Sequence, residues 1–377
     1  MMTIRKIPLF FYCILLFAIC SPLHAASEWK VIHSGEQRWE MLMADLEKAS
    51  SYICLECFII RDDEAGRAII DILMRKAAEG VEVRMLFDDI SNFFLPKRFF
   101  QEMTRTGAEL RFFTDLDRWD ALDGISIRDH RKIVVIDGKV GYLGGMNLSD
   151  NYRYNWKDTD LRVEGPVVAD LESNFYIVWT SAGGSGSPHP APFPRCSEDP
   201  VEIIAGGPAY PVFVKMYLKL FEEAKDYIYL QTPYLCPPDT LVKAMKAAAD
   251  RGVDVRILIP QKADLSFMMT ANKSFYNEML EAGVRVFEYI PSFVHSKVFS
   301  CDDRLCWIGS VNFDNRSFYL LYEIGALIHD AETAAAEKRW FLTLIEDSHE
   351  VTLEETATWS KPHRLRNRFV HRFKSRL

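Results

Sequence analysis

The sequence is short of positive charge: 45 Lys and Arg stand against 53 Asp and Glu, for a formal net charge of -8. Such a chain lacks the broad positive field of non-specific nucleic-acid binders, so no nucleic acid is expected as a partner and an anionic substrate must be held by local cations. No cysteine spacing resembles a zinc knuckle. The apolar run from Ile7 to Cys20 is shorter than the ~20 residues of a spanning helix. With Arg5 and Lys6 ahead of it and small residues up to Ala25 behind it, residues 1–25 are predicted to be a signal peptide or short N-terminal anchor, which implies an exported or membrane-associated protein. Ile19 before Cys20 does not suit a lipidation site.

What is present suits a folded enzyme. Hydrophobic residues make up 49% of 377 residues, enough for a sizeable core. Outside the N-terminal segment the cysteines are Cys54, Cys57, Cys196, Cys236, Cys301 and Cys306. Cys54 and Cys57 lie three apart on a predicted strand and face opposite sides. Cys301 and Cys306 flank a predicted hairpin turn, where a disulfide across the turn and two small core residues are both open readings, the second favoured.

The sequence repeats itself. Ala77-Ala78-Glu79-Gly80 followed by Val81-Glu82-Val83-Arg84 returns as Ala248-Ala249-Asp250-Arg251-Gly252 followed by Val253-Asp254-Val255-Arg256, and Gly107 finds its counterpart in Gly283. Each copy has a helical pattern ending at a glycine and running straight into an alternating strand. Upstream, amphipathic helices over Trp39 to Ala49 and Val212 to Ala224 precede strands over Tyr52 to Ile60 and Tyr227 to Gln231. The alternation predicts an α/β fold of two pseudo-symmetric halves, each a mixed sheet flanked by helices, with the active site at their interface. The predicted boundaries are 26–181 for the first half, 182–200 for a Gly-, Ser- and Pro-rich linker, 201–347 for the second half and 348–377 for a basic tail.

Each half ends in the same constellation. The first carries His130, Lys132, Asp137, Gly144, Gly145 and Asn147; the second carries His295, Lys297, Asp302, Gly309, Ser310 and Asn312. All intervals agree between them. A His and a Lys two apart on a strand project from one face, while the Asp opens a turn into the next strand. Imidazole, ammonium and carboxamide together suit attack on an anionic phosphodiester. Two sets supply one histidine as nucleophile and the other as general acid and base, since imidazole is accessible in either protonation state near neutral pH; pseudo-symmetry does not choose between His130 and His295, and His130 is taken as the nucleophile. Lys132, Lys297, Asn147 and Asn312 would hold the non-bridging oxygens, with Gly145 and Ser310 beside them. Asp158 and Glu323, each eleven residues past its Asn, would orient an imidazole through its unreactive nitrogen. No metal and no cofactor are called for.

These residues resemble the phospholipase D superfamily, whose duplicated HxKxxxxD motif is matched twice. Within it, HRKIVVIDGKVGYLGGMN with YNWKDTD, and HSKVF with NFDNRSFYLLYEIG, resemble bacterial cardiolipin synthases. The resemblance implies a catalytic set of His130, Lys132, Asp137, His295, Lys297 and Asp302, in which the two Asp are expected to fix turns. It further implies a phosphatidyltransferase that joins two phosphatidylglycerols into cardiolipin and glycerol through a phosphohistidine. The alternative is an exported phospholipase D-type hydrolase. The expected partners are an anionic phospholipid and a membrane surface of the bacterial cell envelope, and one chain holding both motifs is expected to act as a monomer.

Three further stretches bear on lipid. Lys361 to Leu377 carries seven Lys or Arg and no acid, with Leu365, Phe369, Phe373 and Leu377 spaced by four, as in an amphipathic helix for either a headgroup surface or the protein's acidic body. Phe93-Phe94-Leu95-Pro96-Lys97-Arg98-Phe99-Phe100 and Phe267-Met268-Met269 are either apolar lips or core.

Overall fold

The glycines that end the repeated helices all sit in the left-handed region, with φ of 93° and 94° at Gly80 and Gly107 and of 92° and 80° at Gly252 and Gly283. Each lets its helix stop and turn directly into a strand. The computed structural model describes residues 26–113, 127–194, 198–208, 210–264 and 266–372. The expected N-terminal segment, Cys196, Phe373 and Leu377 fall outside these residues.

Two sheets result, and their common strands run in the same spatial order. In the first, Glu109–Phe113, Glu82–Asp88 and Tyr52–Cys57 are parallel; Lys132–Ile136, Val140–Gly144, Asp160–Glu164 and Glu28–Ile32 then continue antiparallel. The second repeats this with Arg285–Tyr289, Asp254–Pro260 and Tyr227–Gln231 parallel, then Val298–Cys301, Leu305–Gly309, Leu321–Ile328 and Val201–Gly206 antiparallel. The expected mixed sheets flanked by helices are therefore present in both halves. The Tyr52 strand stops at Cys57, short of the expected Ile60, because Phe58 and Ile60 bond to the Asn92 side chain instead of a neighbouring strand.

The halves are joined by one core. Leu143, Leu161, Val163 and Phe175 of the first pack in a single cluster with Val298, Ile308, Ile324 and Ala326 of the second. The chain also crosses over: Arg128–Asp129 pairs in parallel with Leu321 and Tyr322 of the opposite half, and Lys157 bridges Val294. Burial of this apolar surface fixes the halves face to face, and the crossing segments set their register.

Several sequence readings resolve here. Cys301 pairs with Leu305 across its hairpin and Cys306 with Ser300, so the two cysteines point to opposite faces of the sheet and enter different core clusters. The disulfide reading is thereby corrected: both are free, buried thiols. Phe99 is core, whereas Phe93 and Phe94 are exposed. The Lys361–His371 helix docks on the Ser266–Glu281 helix through buried Asn367 and Val370 and a His371–Glu278 contact, leaving Leu365 exposed. Among the described residues, no helix is long and apolar enough to cross a membrane.

Candidate active site

Both catalytic candidates stand at the start of an antiparallel strand, at the carboxyl end of the parallel strand beside it. His130 precedes Lys132–Ile136, which runs against Tyr52–Cys57; His295 precedes Val298–Cys301, which runs against Tyr227–Gln231. Ligands of α/β sheets collect at such strand ends. The spacing of two brings Lys132 and Lys297 to the same place, and all four side chains are buried.

Each histidine is held by the opposite half at two points. His130 donates its backbone N–H to Tyr322 O at 3.0 Å, and its Nδ1 lies 3.0 Å from both Glu323 carboxylate oxygens. His295 donates its backbone N–H to Lys157 O at 2.7 Å, and its Nδ1 lies 2.6 Å from Asp158 Oδ2. The orienting carboxylates thus serve the imidazole of the other repeat. With Nδ1 tied to a carboxylate, Nε2 is the nitrogen left to react.

Burial dominates the electrostatics. It lowers both histidines well below the usual imidazole range, with further lowering by Lys132 and Lys297 at both sites and by His295 and Arg128 at His130. Each ring is thus within reach of the lysine of the opposite repeat. Burial also raises Asp158 to about 6 and Glu323 well above the carboxylate range, and lowers Lys297 to about 7. A site of this kind disfavours charge until an anion arrives.

Asp137 and Asp302, expected in the catalytic set by motif, lie at the far ends of the strands. Asp137 accepts from the backbone N–H groups of Ser50, Ser51 and Tyr52, and Asp302 from those of Lys225, Asp226 and Tyr227. Their φ values of 52° and 54° belong to tight hairpin turns. Four residues of strand separate each from its lysine, so a catalytic role is corrected to a structural one, as the turn reading expects.

Gly145 and Ser310, expected beside the substrate, face the carboxylates instead. Their backbone N–H groups go to Thr159 O and Ile324 O. A Cβ on Gly145 would lie 2.2 Å from Asp158 Oδ1. The Ser310 hydroxyl donates to Glu323 Oε2 and accepts from Ile324 N at 3.0 Å. Glutamate, one methylene longer than aspartate, thus comes with a serine partner, while the shorter Asp158 packs against bare backbone. Asn147 is largely committed: its Oδ1 accepts from Ile59 N at 3.0 Å and its amide donates to Tyr152 Oη at 2.7 Å. Buried Asn312 has no hydrogen-bond partner on Oδ1.

Other participants carry no motif. Phe58 meets His130 edge-on at 4.6 Å and lies under the Lys132 ammonium at 5.2 Å. His295 is walled by Tyr152, Trp156 and Phe293. Asn92 and Asn272 do the same work in the two halves, each bridging the loop that follows the central strand: Asn92 bonds Phe58 O and Ile60 N, and Asn272 bonds Pro233 O and Leu235 N. Their separation of 180 residues departs from the 165 of the histidines, so a fixed-offset comparison of the repeats passes over them.

Comparison with known proteins agrees with this arrangement. Residues 42–179 and 217–345 match the family described as "Cardiolipin synthase, PLD-like domain". A cardiolipin synthase of Geobacillus sp. (strain WCH70) is 35% identical over 88% of this chain and 68% of its own length. That of Geobacillus kaustophilus (strain HTA426) is 36% identical over 85% of this chain and 66% of its own, and cardiolipin synthase A of Pseudomonas putida is 34% identical over 89% and 72%. The chain therefore spans about two thirds of the length of these relatives. In fold it resembles the phosphatidylserine synthase of Haemophilus influenzae Rd KW20, with a TM-score of 0.69 at 15% identity over 92% of this chain and 94% of that one. The match in two parts, one per repeat, and the relatives above 30% identity lead to one conclusion: the chain belongs to the cardiolipin synthase family of phospholipase D-like proteins.

Proposed function

We propose that the protein transfers a phosphatidyl group between two phosphatidylglycerols, forming cardiolipin and glycerol at the paired histidines. Two buried imidazoles, each with Nδ1 tied to a carboxylate of the opposite repeat, carry this reading, because that arrangement frees both Nε2 atoms for one phosphorus. In the first step His130 Nε2 attacks phosphorus and the P–O bond to glycerol breaks. His295 gives its proton to the departing glycerol oxygen. In the second step His295 takes the proton from a hydroxyl of the second phosphatidylglycerol, whose oxygen attacks phosphorus and releases His130.

Arg128 supports His130 as the nucleophile. Its guanidinium, itself paired with Asp88, lowers His130 and not His295, which favours the neutral, attacking form of the His130 ring. The phosphodiester's negative charge would restore the proton on His295 and keep Lys132 and Lys297 charged. Asn312 and the second amide hydrogen of Asn147 would complete the hold on the oxygens. Asp158, Glu323, Gly145 and Ser310 would position the rings.

Burial of both histidines favours a lipid alcohol over water as acceptor, since transfer requires that water be kept from the intermediate. Incubating the protein with phosphatidylglycerol and identifying the products tests this. Cardiolipin with glycerol is expected; phosphatidic acid with glycerol would mean hydrolysis instead. We further propose a monomer working at a membrane surface, with a recognisable first half, linker, second half and basic tail at 26–181, 182–200, 201–347 and 348–377.

A further inference from the structure

Apolar side chains stand exposed at matching places in the two repeats. Phe93 is 76% and Phe94 94% exposed, directly after Asn92, in the connection that follows the Glu82–Asp88 strand. Phe267 is 55% exposed at the start of the Ser266–Glu281 helix, in the connection that follows the equivalent Asp254–Pro260 strand. Both connections lie at the carboxyl ends of the parallel strands, the end that carries His130 and His295. Asn92 and Asn272, which hold the loops beside the histidines, belong to these same segments. The two apolar tips thus stand at equivalent places in the repeats, at the strand ends that carry the histidines.

Cations accompany each tip. Lys97 and Arg98 are exposed beside Phe93 and Phe94. On the other side, Lys262, Met269, Lys273 and Arg366 line one groove next to Phe267, with Leu365, 70% exposed, adjoining it on the C-terminal helix. These local cations stand out on a chain of net charge -8.

We propose that the two tips insert into the headgroup layer of an anionic phospholipid surface, seating the catalytic face on the membrane. The inference rests on the phosphatidyl-transfer reading, which requires a lipid phosphate to reach histidines only 6% and 5% exposed while its acyl chains stay out of water. Aromatic rings at the interface with cations behind them are what an anionic bilayer accepts. A small soluble anion would offer the cations a partner but nothing to cover four apolar side chains.

The test uses the full chain with Phe93→Ser, Phe94→Ser and Phe267→Ser, singly and combined. Turnover is measured on phosphatidylglycerol vesicles and on a short-chain phosphatidylglycerol below its micellar concentration. The expected result is a loss of about tenfold per ring in kcat/KM on vesicles, with the short-chain value unchanged; Phe94→Leu should retain vesicle activity. An equal loss on both substrates would overturn the proposal by placing the rings in the catalytic pocket. Equal activity of parent and variants on vesicles would overturn it as well. As a second measurement, Phe94→Trp emission should be quenched by brominated acyl chains and that of Ile177→Trp, on an exposed helix face of the first half, should not. Quenching of both or neither would count against it. Failure of the parent to form cardiolipin or its short-chain analogue from either lipid would instead reject the transfer reading.

Discussion

The two repeats agree at the surface of the site and differ beneath it. Each offers a histidine and a lysine two apart, and each lends a carboxylate to the other. Behind His130, buried Arg131 is paired with Glu56 and Asp129. The corresponding residue behind His295 is Ser296, whose hydroxyl lies 3.1 Å from Thr159 Oγ1, which in turn lies 3.2 Å from His33 Nδ1. One half thus supports its histidine with a buried ionic cluster, the other with a chain of hydroxyl and imidazole hydrogen bonds that ends at Glu337. The chemistry constrains only the groups that meet the phosphodiester, and whatever holds them needs only to be satisfied.

The largest effects should come from the layer that is shared. His130→Ala and His295→Ala should each lower cardiolipin formation by about a thousandfold or more, because nucleophile and proton carrier act as a unit. A surviving single-histidine variant would break the equivalence of the halves. Mixing with phosphatidylglycerol labelled at phosphorus, quenched in alkaline denaturant because the P–N bond is acid-labile, should trap label on His130; label on His295 would reverse the assignment of roles while leaving the pair intact.

Beneath that layer the halves should part. Arg131→Met leaves two buried carboxylates without their cation and should cost about 3–5 kcal/mol of stability in denaturant titration. Ser296→Ala, which removes one neutral hydrogen bond, should cost about 1 kcal/mol. Equal costs would mean that the two supports are built alike after all.

The positioning residues should give intermediate losses. Gly145→Ala drives a methyl group into Asp158 and should lower kcat about a hundredfold with little change in KM, whereas Ser310→Ala, which only frees Glu323, should lower it about tenfold. A shift in KM with kcat intact would assign both to substrate binding.

The smallest effect is electrostatic. Lys297, held down to about 7 by burial, is charged below that pH and neutral above it in the empty site. Affinity for inorganic sulfate should therefore fall as pH rises through about 7, by up to tenfold per unit. Lys297→Met should flatten the profile; an unchanged slope would place the titration elsewhere.

Much of this was legible in the chain. Gly80 and Gly252, and the constant spacings around His130 and His295, revealed the repeat, its mixed sheets and the paired motifs, because local turns and strand periodicity depend on near neighbours. The hairpin carrying Cys301 and Cys306 was equally legible, but its register was not. A shift of one residue separates partners from strangers, and turn type sets that shift. Asn92, Asn272 and Phe58 went unseen for another reason: each acts on a loop or ring with no fixed spacing in the sequence.

By itself the sequence determined that two equivalent sets of imidazole, ammonium and carboxamide exist, and that Asp158 and Glu323 stand at equal intervals behind them. Only the tertiary structure decided that the carboxylates change sides, Glu323 serving His130 across 193 residues and Asp158 serving His295 across 137. Spacing along a strand fixes which side chains share a face, but the partner across an interface follows from how two buried surfaces pack, and that is a property of the whole fold.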